Sequence, residues 1–122
     1  MPQVWIVNLA GHDYEKAKEW GELRHVTSGY VSPGYLDRLL FDVAKGLKDS
    51  APEDFLLPSG LLVLNIIATA VWISMHGEIR ALIWDVKKKE YRRLLIENSH
   101  LEHLLSNLKN IEEPNAATGT DE

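Results

Sequence analysis

Residues 54–86 read DFLLPSGLLVLNIIATAVWISMHGEIRALIWDV. A short apolar run, Asp54–Leu57, is followed by a Pro-Ser-Gly turn and then by a long apolar stretch, Leu61–His76. Gly77 is a typical helix stop, and apolar residues alternate in part along Ile79–Val86. This stretch therefore predicts a strand, a tight turn, a buried helix and a second strand, which is the repeating unit of a parallel sheet.

The segments on either side extend the same alternation of strands and helices. Further strands are predicted at Gln3–Leu9, Glu22–Thr27 and Glu90–Ile96, and further helices at Tyr14–Trp20, at Leu36–Leu47 and from Asn98 to Ile111. We expect one Rossmann-like α/β domain over residues 1–111, with a mainly parallel sheet of about five strands and helices on both faces. Its first strand lies at the centre between the second and third, the fourth lies beside the third, and an antiparallel C-terminal hairpin completes the sheet. Residues 112–122 contain no core-forming pattern and are predicted to be a disordered acidic tail.

Charge is distributed unevenly along the chain. The 122 residues include 13 Lys and Arg against 18 Asp and Glu, a net charge of −5. Residues 77–96 carry six basic and three acidic groups, or +3, whereas residues 97–122 carry one and six, or −5. Because the first 96 residues are neutral overall and the chain is acidic, it is not expected to bind duplex nucleic acid. The opposite charges also predict an electrostatic contact between hairpin and tail, within one molecule or across a dimer.

The sequence also limits the cellular compartment. It contains no cysteine, so disulfides, thiolate zinc sites and thiol nucleophiles are excluded. No basic segment followed by an apolar one opens the chain, so we expect no cleaved secretory signal and a cytoplasmic protein. The uncharged run Phe55–Met75 is long enough to cross a bilayer. We predict a buried strand and helix instead of a membrane span, because Pro58–Gly60 divides the run and Asn65 interrupts its apolar part.

The carboxyl ends of the predicted strands define a candidate ligand site, because parallel sheets bind ligands there, at the switch in strand order. The candidate residues are Asn8, Gly11, His12, Asp13, Ser28, Ser59, Gly60 and Asn65. Ser59 and Gly60 precede a helix whose first amides are available to an anion, and His12 is suited to phosphate contact or acid–base work. The alternative is structural: Ser59 turns the chain, Asp13 caps the short helix and Asn8 is a hydrogen-bonded core residue.

Two other patterns have competing interpretations. Glu97, His100 and His103 share a helical stripe seen in metal-binding bundles, but the motif occurs once, so we predict no metal and no cofactor. Basic residues at Lys87–Lys89, Arg92 and Arg93 lie near Trp84 and Tyr91. They fit either a contact to single-stranded nucleic acid or, as we favour, charges that protect an edge strand. The Gly-rich fingerprints of dinucleotide and triphosphate sites and the G-x-S-x-G elbow are absent from the sequence.

Two stretches resemble known proteins. The runs DFLLPSGLLVLNIIA, residues 54–68, and ALIWD, residues 81–85, resemble the core of the CRISPR-associated Rossmann-fold (CARF) ligand-binding domains. The opening VWIVNLAGHDY, residues 4–14, resembles small uncharacterised Rossmann-like proteins from bacteriophages and bacterial mobile elements. The CARF resemblance implies that Gly11-His12 and Ser59-Gly60 contact a cyclic oligonucleotide, usually at a dimer interface.

Three functions follow as hypotheses. The first is a small module that binds a nucleotide or another phosphate-bearing anion at the carboxyl ends of the strands. The second is a phage or mobile-element interaction protein that binds a host protein and takes no small ligand. The third is a phosphodiesterase-like (ring-nuclease-like) enzyme in which His12 is the acid–base group. A symmetric homodimer through the apolar helix or an edge strand is compatible with each.

Overall fold

The computed structural model describes residues 1–9, 12–29 and 35–118, with side chains up to residue 110. Five strands, three α-helices and one 3-10 helix alternate along it. In chain order they are β1 Gln3–Leu9, the 3-10 helix Glu15–Glu19, β2 Glu22–Ser28, α1 Leu36–Leu47, β3 Phe55–Leu57, α2 Leu62–His76, β4 Glu78–Asp85, β5 Glu90–Glu97 and α3 Asn98–Thr118.

The strands form one sheet in the order β2-β1-β3-β4-β5. Neighbours from β2 to β4 are parallel, with Ile6 opposite Leu57 in the β1–β3 pair, and β5 runs antiparallel to β4. The predicted mixed α/β class is therefore confirmed, together with the central position of β1 and the C-terminal hairpin. After β1 the chain adds β2 on one side of that strand and later adds β3 on its other side.

One face of the sheet is covered by α1 and α2. Trp5 and Val7 of β1 point to this face and share an apolar cluster with both helices. Buried side chains at helical spacing, such as Leu39 and Val43 on α1, meet Trp72 of α2, which is fully buried. The buried residues of α2 lie in this cluster because the helix packs against β1 and β4 and, on its side, against α1, which itself packs on β2.

The opposite face is covered only in part. Val4 and Ile6 of β1 point to it and pack with Tyr14, Ala17 and Trp20, in and beside the 3-10 helix. A helix of five residues is too short to cover five strands, so the face of the β4–β5 hairpin remains open. Trp84 and Leu95 there are 43% and 45% exposed.

The uncharged run Phe55–Met75 is divided between β3 and α2 by the turn that the sequence predicts. Within the described residues, the structure contains no helix with the length and apolar character needed to span a membrane.

The last helix differs from its predicted length. It continues to Thr118, whereas the periodicity of its leucines ends at Ile111. The added residues include Pro114, which has very poor helix propensity, so local propensity does not account for the longer helix. Residues 119–122 of the predicted tail lie outside the described residues, and the division of the chain at residue 111 stays a prediction.

Candidate functional site

An open cavity of about 550 Å³ lies at the carboxyl ends of the parallel strands. We call it the sheet-end cleft. Its lining residues come from the segment after β1, from the end of β3 and the turn after it, and from β4 and β5. They are His12, Asp13, Tyr14, Leu57, Pro58, Ser59, Leu82, Ile83, Trp84 and Tyr91. The cleft opens on the sheet face that the 3-10 helix leaves uncovered.

The position of the cleft follows from the strand order. The chain passes from β1 to β2 on one side, and β3 enters the sheet on the other side of β1. The segments that leave β1 and β3 therefore diverge, and a crevice forms between them. His12 and Asp13 come from the first of these segments, and Pro58 and Ser59 come from the second.

Aromatic side chains form much of the cleft wall. Trp84 and Tyr91 are paired across the β4–β5 hairpin, with ring centroids 4.9 Å apart and an edge-to-face angle of 68°. His12 and Tyr14 form a second edge-to-face pair at 6.1 Å. Such walls present ring faces and edges to a planar ligand while their polar tips stay available for hydrogen bonds.

Protonation of Tyr91 is coupled to this environment. Burial raises the pKa of the Tyr91 phenol above its ordinary value, and the neighbouring Tyr14 and Asp13 raise it further. The phenol is therefore uncharged at neutral pH and both donates and accepts hydrogen bonds. Asp13 accepts a hydrogen bond from the Glu15 amide at 2.9 Å, so its carboxylate also orders the start of the 3-10 helix.

The polar residues at the ends of β1 and β3 bond mainly to one another. The Ser59 hydroxyl accepts a hydrogen bond from the Asn8 amide at 3.1 Å and donates one to the Asn8 carbonyl at 2.9 Å. The Asn8 side chain is 4% exposed, donates to the Gly29 carbonyl and accepts from the Thr27 hydroxyl. These contacts join three strand ends, and Ser59, the member that lines the cleft, forms part of its floor.

Asn65 completes the turn between β3 and α2. Its carboxamide oxygen accepts from the Ser59 amide at 2.9 Å, and its nitrogen donates to the carbonyls of Ser59 and Leu61. Asn65 therefore holds the Pro-Ser-Gly turn against the first turn of α2. In this arrangement its polar atoms are directed at the backbone and away from a ligand.

The start of α2 carries no side-chain cap. Leu61 occupies the N-cap position and makes no capping hydrogen bond, while Gly60 before it has a φ of +79°. Amides in the first turn of a helix have no partner within the helix, so these groups retain their capacity to bind an acceptor.

The other predicted site residues lie elsewhere. Ser28 lines a separate cavity of about 580 Å³ beside α1, together with Tyr35 and Arg38. Gly11 lies outside the described residues. The structure thus brings His12, Asp13 and Ser59 to one cleft, places Asn8 and Asn65 in hydrogen bonds with Ser59, and leaves Ser28 apart.

Sequence reasoning missed the aromatic part of the wall. The sequence places Tyr14 and Trp84 at strand ends and Tyr91 on the basic hairpin, but none of the three among the candidate ligand contacts. The available signal was the register of that hairpin, because Trp84 and Tyr91 are equidistant from its tip and therefore pair on one face.

No metal centre accompanies the cleft in the part of the chain that the structure describes, where no three His, Asp or Glu side chains are grouped closely enough to hold an ion. In the predicted stripe on α3, the His103 ring instead lies 3.3 Å from the Asn107 side chain.

Comparison with known proteins gives one family. The family model described as "Phage Pam3 gp32-like protein" matches residues 2–98, which include all five strands and end at the first residue of α3. No curated protein and no solved structure matches the chain.

Proposed function

We propose that this chain, which belongs to the phage Pam3 gp32-like protein family, binds a small nucleotide in the sheet-end cleft. The observation that carries the proposal is that residues following β1 and β3, together with residues of β4, line one cleft at the switch in strand order. The phage association expected from residues 4–14 agrees with this family. The CARF likeness stays a prediction.

The lining of the cleft favours a ligand with a planar ring. Trp84 is 43% exposed and stands beside Tyr91, so one aromatic surface is open to stacking. The cavity of about 550 Å³ lies within the roughly 300–1,000 Å³ that small-molecule sites usually enclose. That volume accommodates one nucleotide and not a large cyclic oligonucleotide.

The charges in the cleft favour a ligand with few negative charges. The described lining residues include His12 as a phosphate contact but neither lysine nor arginine, and Asp13 adds a negative charge. The Tyr91 phenol, uncharged at neutral pH, supplies a neutral hydrogen-bond donor. A nucleoside monophosphate or a cyclic mononucleotide fits this balance better than a triphosphate, whose charge Asp13 would repel.

Calorimetry tests the proposal with nucleosides, monophosphates, cyclic mononucleotides, triphosphates and inorganic phosphate. We expect monophosphates or cyclic mononucleotides to bind most tightly, and Trp84→Ala to weaken binding by about 5- to 150-fold, the range for loss of one stacked base. Trp84→Phe, which keeps a ring face, should weaken it less, and Tyr35→Ala, in a different cavity, should leave it unchanged.

His12 has a distinct role in the same experiment. His12→Ala should weaken the binding of a nucleotide more than that of the matching nucleoside, because only the nucleotide carries the phosphate. Analysis of the ligand after incubation also tests the phosphodiesterase hypothesis, which predicts hydrolysis that is lost in His12→Ala. Absence of binding by every compound in the panel would overturn the proposal.

A protein-interaction function is the second candidate. The outer surfaces of α1 and α2 expose large apolar side chains, including Leu36, Phe41, Leu62 and Ile66 at 56–75%. Exposed apolar patches of this kind are common at protein interfaces. A partner that is lost with Phe41→Ser and Ile66→Ser but retained with Trp84→Ala would favour this function over ligand binding.

A further inference from the structure

Helix α3 has almost no cover from the rest of the molecule. It begins directly after β5, where the Asn98 amide donates to the Gly77 carbonyl at 3.2 Å. All its described side chains, residues 98–110, are exposed. Most of the stability of a helix in a protein comes from packing of its apolar face, so we expect α3 to pack against a surface.

The leucines of α3 indicate which side that surface covers. Leu101, Leu104, Leu105 and Leu108 follow the i, i+3, i+4, i+7 spacing of one helix face and are 36–60% exposed. Burying this stripe removes apolar area from water, which is the main driving force for association.

A matching surface lies on the β4–β5 hairpin. We call it the hairpin groove, a cavity of about 620 Å³ whose apolar part is Ile83, Val86 and Leu94, at 44%, 75% and 42% exposure. Lys87, Arg92 and Arg93 form its basic rim. The groove and the α3 stripe are therefore both apolar at the centre.

The two surfaces also carry opposite charge. Helix α3 carries three acidic residues, Glu102, Glu112 and Glu113, against Lys109, a net charge of −2. The groove lining carries three basic residues, Lys87, Arg92 and Arg93, against Asp85, a net charge of +2. Association of α3 with the groove brings these charges together, whereas two α3 helices side by side would bring the acidic segments together.

The connection between β5 and α3 favours a groove on another molecule. Glu97 ends β5 and Asn98 begins α3, so no residue is left to form a turn. To reach its own groove at the other end of the hairpin, α3 would have to reverse direction along β5, and such a reversal requires a loop. A second copy has no such restriction.

We propose that two copies of this chain form a symmetric dimer in which the leucine stripe of each α3 packs into the hairpin groove of the other. The exchange occurs twice about one two-fold axis, so each copy contributes a helix and a groove. Ile83 and Trp84 line both the hairpin groove and the sheet-end cleft, but the proposal requires no ligand in the cleft and stands if no nucleotide binds.

Disulfide trapping tests the exchange directly, because the chain contains no cysteine of its own. Leu105 of α3 and Val86 of the groove are 60% and 75% exposed, so each accepts a cysteine without loss of core packing. Full-length Leu105→Cys and Val86→Cys chains are mixed, oxidised mildly and resolved without reductant. As a matched control, Leu105→Cys is mixed with Lys16→Cys, an exposed site on the 3-10 helix.

We expect a mixed disulfide dimer of Leu105→Cys with Val86→Cys in clear excess over the control mixture. A yield equal to the control would overturn the proposal. Efficient dimerisation of Leu105→Cys alone would also overturn it, by showing that α3 pairs with α3. A third chain carries both Leu105→Cys and Val86→Cys. If it forms an intrachain disulfide and no covalent dimer, α3 reaches its own groove and the proposal is wrong.

Sedimentation of the full chain tests the charge contribution. We expect a dimer that weakens when salt is raised from about 0.1 M to about 1 M, since the screening length falls from about 10 Å to about 3 Å. Arg92→Glu should lower the dimer fraction, and Lys16→Glu, an equal charge change elsewhere, should not. A monomer at all concentrations, or equal effects of both variants, would contradict the exchange.

Discussion

The hydroxyl of Ser59 bridges the backbone of Asn8, accepting from its amide at 3.1 Å and donating to its carbonyl at 2.9 Å. These two bonds tie the loop after β3 to the end of β1, the two segments between which the sheet-end cleft opens. Ser59 is thus a structural part of the cleft floor, and its substitution should affect stability before it affects any ligand.

Ser59→Ala should lower the free energy of unfolding by about 1–3 kcal/mol, because it removes the hydroxyl that bonds both backbone groups of Asn8 and leaves the carbonyl with the longer bond from the Tyr14 hydroxyl, at 3.4 Å. Ser74→Ala, at an exposed position of α2, is the matched control and should change it by less than about 0.5 kcal/mol. Urea unfolding measures both. Equal effects of the two variants would show that the Ser59 bonds contribute no net stability.

Gly60→Ala and Gly77→Ala separate steric contact from backbone strain. Both glycines have a left-handed φ, +79° and +77°. A Cβ at residue 60 would lie 2.8 Å from the Asn8 Cβ, whereas a Cβ at residue 77 meets no atom within 4 Å. We expect Gly77→Ala to cost about 1–2 kcal/mol from strain alone, and Gly60→Ala to cost clearly more. Thermal unfolding tests the order, and a smaller loss for Gly60→Ala would contradict the close packing of the turn on Asn8.

Asp54 lies at the end of the sheet opposite the sheet-end cleft, and we expect it to contribute more to stability there than any other polar residue. Its carboxylate is 4% exposed and accepts from the Gln3 amide, the Trp5 indole and the Ala51 amide at 2.9–3.0 Å. Asp54→Ala leaves buried donors unpaired and should cost at least about 2 kcal/mol. In a double-mutant cycle with Trp5→Phe, the two losses should be less than additive; full additivity would show that the indole contact contributes nothing.

The raised pKa of Tyr91 predicts a particular loss of stability in alkali. Below the ordinary tyrosine pKa of 10.0, the phenol is protonated in both the folded and the unfolded chain. Above that pH the unfolded chain releases the proton first, so the free energy of unfolding falls as the pH rises toward the folded-state pKa. Wild type should therefore lose more stability than Tyr91→Phe as the pH rises above 10.0.

Tyr35→Phe is the control for this measurement, because Tyr35 is 72% exposed. Its unfolding free energy should follow that of wild type across the same range. If Tyr91→Phe also follows wild type, burial and the nearby Asp13 do not act on the Tyr91 phenol.

The local sequence pattern predicted the architecture because each strand and each helix is formed by one contiguous stretch of the chain. The alternation of strands and helices, with Pro58-Ser59-Gly60 and Gly77 as breaks, was sufficient for the strand order. The role of Asn8 and Ser59 could not be predicted in the same way. Whether their polar atoms are free or bonded depends on the distance between two strand ends that are 51 residues apart in the chain.

The aromatic wall of the sheet-end cleft could not be predicted from the sequence, for a related reason. The pairing of Trp84 with Tyr91 depends on hairpin register, and the exposure of both depends on how little of the sheet the 3-10 helix covers. How much of a sheet face a short helix covers depends on three-dimensional packing, and the hydrophobic periodicity of the sequence does not indicate it.

The indole resonances of the four tryptophans test ligand binding in the cleft most directly. Trp84 lines the sheet-end cleft, whereas Trp5 and Trp72 are buried in the core and Trp20 packs on Phe55. Titration of the ¹⁵N-labelled chain with nucleoside monophosphates and cyclic mononucleotides should shift the Trp84 indole signal saturably, with little change at the other three. No shift at Trp84, or an equal and non-saturating shift at all four, would contradict a nucleotide site in the sheet-end cleft.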